Sequence, residues 1–245
     1  VKAEGSWRFK LFCLLVIVFL YPLFFPGYGR SELESYTYRL SQSSSAATLW
    51  TTLPSEKVFK TSPVPGENGS TVKVYAARNE FEPFQLVVRP ASTGTISATI
   101  GDFGSGITTE IYQVKHVYIS TPTDYLGQSG PNPDPLWPLE NGEGISVTGG
   151  ENYAFWFSLY VPKTTPAGDY QTSVTIAGVS IPVSLHVFNF AIPDSLQIKS
   201  QLNFNYDRVL DTYGVAGTGA EYWQYVERMK QFFIDHRMTP KSVLW

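Results

Sequence analysis

"YAFWFSLYVPKTTPAGDYQTSVTIAGVSIPVSLHVFNF", residues 153–190, decides the fold class. Tyr153, Phe155, Phe157, Leu159 and Val161 recur at every second position, so a strand would place them on one face. Ala154, Trp156, Ser158 and Tyr160 fall on the other, which leaves both faces largely covered. Tyr170, Thr172, Val174 and Ile176 then alternate in the same way, "AGVS" supplies a turn, and Ile181, Val183, Leu185 and Val187 return, the pattern of a hairpin. Between the two blocks, Pro166, Gly168 and Asp169 make a tight corner just ahead of Tyr170. That arrangement is similar to the tyrosine corners that pin sandwich loops through a phenol hydrogen bond. Short strands separated by Gly and Pro turns specify a β-sandwich.

Working outward toward the amino terminus, "TVKVYAARNEFEPFQLVVRP" (71–90) adds two more alternating runs, Val72, Val74, Ala76 and Phe84, Leu86, Val88. Arg78, Glu80 and Glu82 interrupt them. Charges at that place suit a bend between two strands, where a buried Arg paired with a carboxylate would fix the corner. Carboxylates at i and i+2 on a strand share a face without framing a substrate pocket, so Glu80 and Glu82 read as structural and not as a catalytic pair. Gln113 to Ser120 is a further short strand. The Pro-rich "TPTDYLGQSGPNPDPLWPL" reads as an interdomain or rim loop, whose Asp124 and Asp134 lack the oxygen-donor spacing of a calcium site.

The composition agrees with a turn-rich β protein: 15% aromatic, 20 Gly and 17 Pro in 245 residues. Eighteen basic residues against 21 acidic, a net charge of −3, give no basic excess for a nucleic-acid partner. His116, His186 and His236 fall on three elements at no metal-ligand spacing, and neither a metal nor a cofactor is expected.

Residues 1–29 read as a signal peptide or a membrane anchor. Lys2, Arg8 and Lys10 precede an apolar run from Leu11 to Tyr21, and the charge-free stretch 11–29 is long enough to anchor the chain in a membrane. Pro22 and Pro26 argue against a regular helix, and Gly27 and Gly29 stand at −3 and −1 before Arg30, as a cleavage site would have them. Cys13, the single cysteine, lies in that run, so a processed chain would hold no disulfide and no thiolate. Such a leader implies a secreted, periplasmic or cell-surface protein. Residues 30–48, rich in Ser and Thr, read as a linker, and 49–192 as the sandwich.

After Pro193 the period changes. "IKSQLNFNYD" alternates as a strand, and Thr218 with Glu221 forms a capping box for a helix carrying Tyr222, Tyr225, Val226, Met229, Phe232 and Phe233 through to His236. "SVLW" begins another apolar run. Strand, helix, strand opens a βαβ series, and 193–245 reads as the start of a second, truncated domain.

"AARNEFEPFQLVV", "PNPDPLWPL", "VPKTTPAGDY", "FNFAIPD" and "HRMTP", in that order, resemble the amino-terminal half of glycoside hydrolase family 123 and its secreted relatives, over residues 49–245. The resemblance implies a mainly β chain, an immunoglobulin-like sandwich leading into the first units of a (β/α)8 barrel. It also implies a glycan substrate: removal of terminal β-linked N-acetylhexosamine, in which the substrate's acetamido group attacks the anomeric carbon. In that scheme an adjacent Asp and Glu orient that group and protonate the leaving oxygen. No adjacent Asp-Glu pair occurs in these 245 residues, so no catalytic residue is assigned here and the chain alone is expected to be inactive. In such a barrel the strand ends carry the site, which makes Asn205, Asp207 and Trp245 the candidate substrate contacts. The alternative is a non-catalytic surface module that binds glycan or protein through its sandwich.

Overall fold

The structure, a computed structural model, describes residues 36–66, 68–125, 127–194, 202–204, 210–211, 213–217 and 219–242. The chain divides into two compact units, Val1–Tyr36 and Thr37–Trp245, and the described residues belong almost entirely to the second. The leader 1–29 lies outside them.

In chain order the strands before residue 194 are β1 (Tyr38–Leu40), β2 (Ala47–Thr52), β3 (Asn68–Gly69), β4 (Val72–Arg78), β5 (Glu80–Pro90) and β6 (Gly94–Ile100). They continue with β7 (Thr108–Ile119), β8 (Gly130–Leu139), β9 (Gly144–Val147), β10 (Tyr153–Val161), β11 (Gly168–Ile176) and β12 (Val179–Ala191). Among the described residues these form a seven-stranded sheet, β3-β1-β2-β5-β10-β7-β8, and a five-stranded sheet, β4-β12-β11-β6-β9. The two sheets close over one core. The larger contributes Phe84, Leu86 and Val88 and the whole of Tyr153, Phe155, Phe157, Leu159 and Val161; the smaller contributes Val72, Val74, Val174, Ile181, Val183 and Leu185. Phe84 and Phe157, opposite one another on paired strands, stack with ring centroids 4.8 Å apart. Burial of these large side chains is the main driving force of the fold.

Two local expectations are met atom by atom. The β11–β12 hairpin turns on Ala177 and Gly178, both at positive φ (50° and 77°), the backbone of a two-residue type I′ turn. The Tyr170 hydroxyl donates to the Pro166 carbonyl at 2.7 Å, closing the tyrosine corner.

Two expectations need correction. Residues 38–40 and 47–52, the first wholly and the second partly inside the expected linker, pair as an antiparallel hairpin of the large sheet. The Ser43 hydroxyl organises the turn by donating to the Leu40 carbonyl at 2.7 Å and accepting from the Leu49 amide at 3.0 Å. A three-residue strand with Tyr38 and Leu40 inward is too short to impose a visible period on a Ser-rich segment. The Pro-rich stretch is only partly a loop: Gly130–Leu139 is the edge strand of the large sheet. An edge strand needs hydrogen bonds on one side only, so it tolerates Pro131, Pro133, Pro135 and Pro138, which also block pairing with a further chain. The helix α1 (Ala220–Asp235) starts from Gly219, with no side-chain cap hydrogen bond; Thr218, the residue expected to cap it, lies outside the described residues.

Beyond Asp194 the described backbone forms β13 (Leu202–Phe204), α1 and β14 (Pro240–Ser242), with β13 and β14 parallel. One strand-helix-strand step is shared by many α/β folds and does not by itself make a barrel. The chain as described is a mainly β fold.

Candidate functional site

Asn205, Asp207 and Trp245, the contacts expected from the sequence, lie outside the described residues. Two other places carry polar groups in a defined geometry.

The first is the corner at which the chain passes from one sheet to the other. β4 ends at Arg78 in the small sheet and β5 begins at Glu80 in the large one, with Asn79 between them at φ 61°. Asn tolerates this left-handed backbone better than most residues, and here its side chain is fully used. Nδ2 donates to the Ile192 carbonyl at 2.8 Å and to Asp194 Oδ1 at 2.7 Å, while Oδ1 accepts from the Tyr160 hydroxyl at 3.2 Å. The Asn79 carbonyl accepts from Arg237 Nη2, just after α1. Asp194 also meets Lys163 at 2.6 Å, and that bond, with the charge behind it and the Asn79 contact, holds its carboxyl below the ordinary range.

The expected Arg-carboxylate clamp is absent. Glu80 instead accepts from the Ala77 amide at 2.6 Å, Arg78 Nε is buried without a hydrogen-bond partner, and among the described residues no ion pair joins Arg78 to either glutamate. Glu82 sits half-buried on the core-facing side of β5, and burial, then the neighbouring Glu80 charge, push its carboxyl up to about 7. A carboxyl protonated near neutrality is what a general acid needs. Glu80, however, is committed to the Ala77 amide across the corner, at the end of β4, and neither trough described next is lined by the pair. The corner is architectural: Asn79 is its organiser, a role the sequence signals only by an Asn between two strands.

The second place is a trough of about 230 Å³ on the outer face of the large sheet. Its floor is Gln85 on β5, Trp156 on β10 and Val114 on β7. One wall is the segment 54–58 and the other is Asp134 and Leu136 of β8. The near wall is tied down by a buried side chain: the two hydrogens on Gln85 Nε2 are shared among the carbonyls of Leu53, Pro54 and Glu56 at 2.9–3.1 Å. Further along the same segment, fully buried Asn152 donates to the Phe59 and Ser62 carbonyls at 2.8 and 2.9 Å, and Arg89 donates to Asn152 and Ser62. His116 contributes an Nε2 contact with the Val58 carbonyl at 3.2 Å, and burial, followed by the Lys60 charge, lowers its pKa. The far wall carries a bulge. Val114 pairs with Leu136 and His116 with Pro133, so β8 spends three steps where β7 spends two, and Asp134 lies in the extra residue's span.

A second hollow, of about 390 Å³, borders Glu110, Tyr112 and Asn141. Three of its polar side chains are already engaged. Tyr112 donates to Glu110 at 2.6 Å, a bond that with burial pushes the phenol up to about 12, and the Asn141 side chain bonds both the amide and the carbonyl of Ile100. The other two histidines are also engaged locally, His186 with Asp169 at 2.6 Å and His236 with the Phe232 carbonyl at 2.7 Å. Among the described residues no three His, Cys, Asp or Glu side chains converge.

No family model matches the chain, and no curated protein matches it. Among solved structures it is similar to a family 123 glycoside hydrolase from Clostridium perfringens, with a TM-score of 0.50 and 12% identity over 71% of this chain and 33% of that one. A β-glucosidase from Listeria innocua aligns with a TM-score of 0.29 and 11% identity, over 60% of this chain and 16% of that one. A non-cellulosomal cohesin from Archaeoglobus fulgidus aligns at 0.27 and 14%, over 49% and 91%. The chain thus spans about a third of the length of the Clostridium enzyme, and what it shares with that glycosidase is fold.

Proposed function

We propose that this chain is the amino-terminal, non-catalytic part of a secreted glycoside hydrolase acting on terminal β-linked N-acetylhexosamine or a related glycan. Its immunoglobulin-like β-sandwich leads, from residue 193, into a (β/α)8 barrel whose acid and orienting carboxylates lie outside these 245 residues. The observation that carries the reading is the likeness in fold to the Clostridium enzyme over 71% of the chain. Two further features support it: the sequence has no adjacent Asp-Glu pair, and Glu80 and Glu82 sit at an architectural corner. Asn205, Asp207 and Trp245 are the residues assigned to substrate contact on this reading.

The test is turnover of an aryl N-acetyl-β-galactosaminide. The full open reading frame should hydrolyse it and the 245-residue chain should not; activity in the chain alone, or none in a complete protein that has the Asp-Glu pair, defeats the reading. In the active protein, Asn205→Ala and Asp207→Ala should each lower kcat/KM at least about tenfold, roughly 1.4 kcal/mol. A second reading, a glycan-binding module without hydrolysis, is favoured by the tryptophan-floored trough.

A further inference from the structure

We propose that the trough on the outer face of the large sheet is a binding site for a neutral pyranose sugar. A pyranose has an apolar face of C–H groups and a rim of hydroxyls, and the trough offers a partner for each. Trp156, Val114 and Leu136 give an apolar floor and flank, with the indole only partly covered by its neighbours. Asp134, Glu56 and Lys57 stand exposed around it.

None of these three charged side chains has a hydrogen bond or ion pair among the described residues. In the second hollow, by contrast, Tyr112 and Glu110 bond one another and the Asn141 amide is spent on the Ile100 backbone. Carboxylates accept from pairs of hydroxyls and an ammonium donates to them, so the unengaged groups match a polyol. Two carboxylates against one ammonium leave the site with one net negative charge, which disfavours phosphorylated, sulfated or uronic sugars.

The geometry is also set in advance. Gln85, itself 2% exposed, holds three carbonyls of the near wall, and the β8 bulge places Asp134 on the far one. Walls fixed before binding reduce the ordering cost that a shallow site cannot otherwise offset. The sugar class extends the proposed function, but the trough does not depend on hydrolysis.

The experiment is a titration of the whole 245-residue chain with methyl β-galactopyranoside, methyl N-acetyl-β-galactosaminide and methyl β-glucuronide, followed by tryptophan fluorescence and saturation-transfer NMR. At least one neutral glycoside should bind saturably with a Kd of about 1–10 mM, and the glucuronide should bind more weakly. Asp134→Ala, an exposed change that leaves packing untouched, should weaken binding about tenfold with an unchanged melting temperature, and Trp156→Ala should abolish it. If Trp156→Ala fails to fold, Asp134→Ala decides. No saturation by either neutral glycoside up to about 50 mM, equal binding of the glucuronide, or unchanged affinity in Asp134→Ala would each overturn the proposal. Sugar binding without hydrolysis by the full-length protein would defeat the hydrolase reading alone.

Discussion

The outer faces of the two sheets are finished in opposite ways. On the large sheet the segment 53–66 lies against the strands, and Trp50, Val58, Val87, Val114 and Ala154 form a second small core beneath it. The small sheet leaves Tyr75, Phe188 and Phe190 partly exposed in a stacked ladder, ring centroids 6.3 and 5.7 Å apart, with His186 edge-on to Phe188. Both faces carry large apolar side chains. What differs is the polar anchoring: Gln85 and Asn152 on the covered face present amide donors where the overlying backbone needs them. An irregular segment can cover a sheet only if its buried carbonyls find donors. The trough lies on the covered face, where a tethered segment stands above the strands and makes a wall.

The largest expected effect tests that anchoring. Gln85→Ala removes the amide donor from the Pro54 and Glu56 carbonyls, and one of two donors from that of Leu53, in a water-poor place, and should cost about 3 kcal/mol in urea unfolding. A loss below about 1 kcal/mol would show that the apolar contacts of the segment hold it without the amide, and the contrast between the faces would collapse. Asn79→Ala, at the corner joining the sheets, comes next. It puts Ala at φ 61° and strips Ile192, Asp194 and Tyr160 of a partner, for about 2 kcal/mol by the same measurement.

A smaller effect concerns Glu82, on the core side between the faces. Its carboxyl is raised from an ordinary 4.5 to about 7, so between those values the folded chain keeps a proton the unfolded chain has lost. Stability therefore falls as pH rises from about 4.5 to about 7 and is level above that. Glu82→Gln should remove this slope, matching the parent at pH 4 and exceeding it at pH 8 by about 1 kcal/mol, a figure reduced for the solvent access of a half-buried group. Parallel stability-pH curves for the two proteins would place the slope elsewhere.

How much of this was legible in the sequence follows from the same physics. The period-2 runs at 72–76, 84–88, 153–161 and 170–187 and the Tyr170 corner were readable because each is a local pattern whose consequence is local. The covering of the large sheet was not. Gln85 and Asn152 look like solvent-side positions in a strand pattern, and their partners lie some 30 and 90 residues away. β1 is too short to show a period, and the prolines of β8 read as loop until its edge position explains them. The one residue-level cue was a lone Gln in "EPFQLVV", flanked by apolar residues on both sides. The residues named from the strand-end rule, Asn205, Asp207 and Trp245, lie outside the described residues, so the trough entered from the structure alone.

The smallest expected effect lies on the bare face. Phe190 is 57% exposed, near the end of β12, where β12 and its parallel partner β4 fall out of register between Val187 and Ala191. Its ring stacks on Phe188, itself partly exposed. Phe190→Thr keeps a β-favouring side chain and removes mostly area that already faces water, so unfolding in urea should shift by no more than about 0.5 kcal/mol. The contrast with Gln85→Ala is the point of the comparison: a large aromatic whose loss costs little against a polar amide whose loss costs about six times more, about 3 kcal/mol. If Phe190→Thr instead costs about 2 kcal/mol or more, the aromatic ladder supports the small sheet as the tethered segment supports the large one. The two faces would then be two solutions to one problem, covering by polar anchors on one side and by mutual stacking on the other.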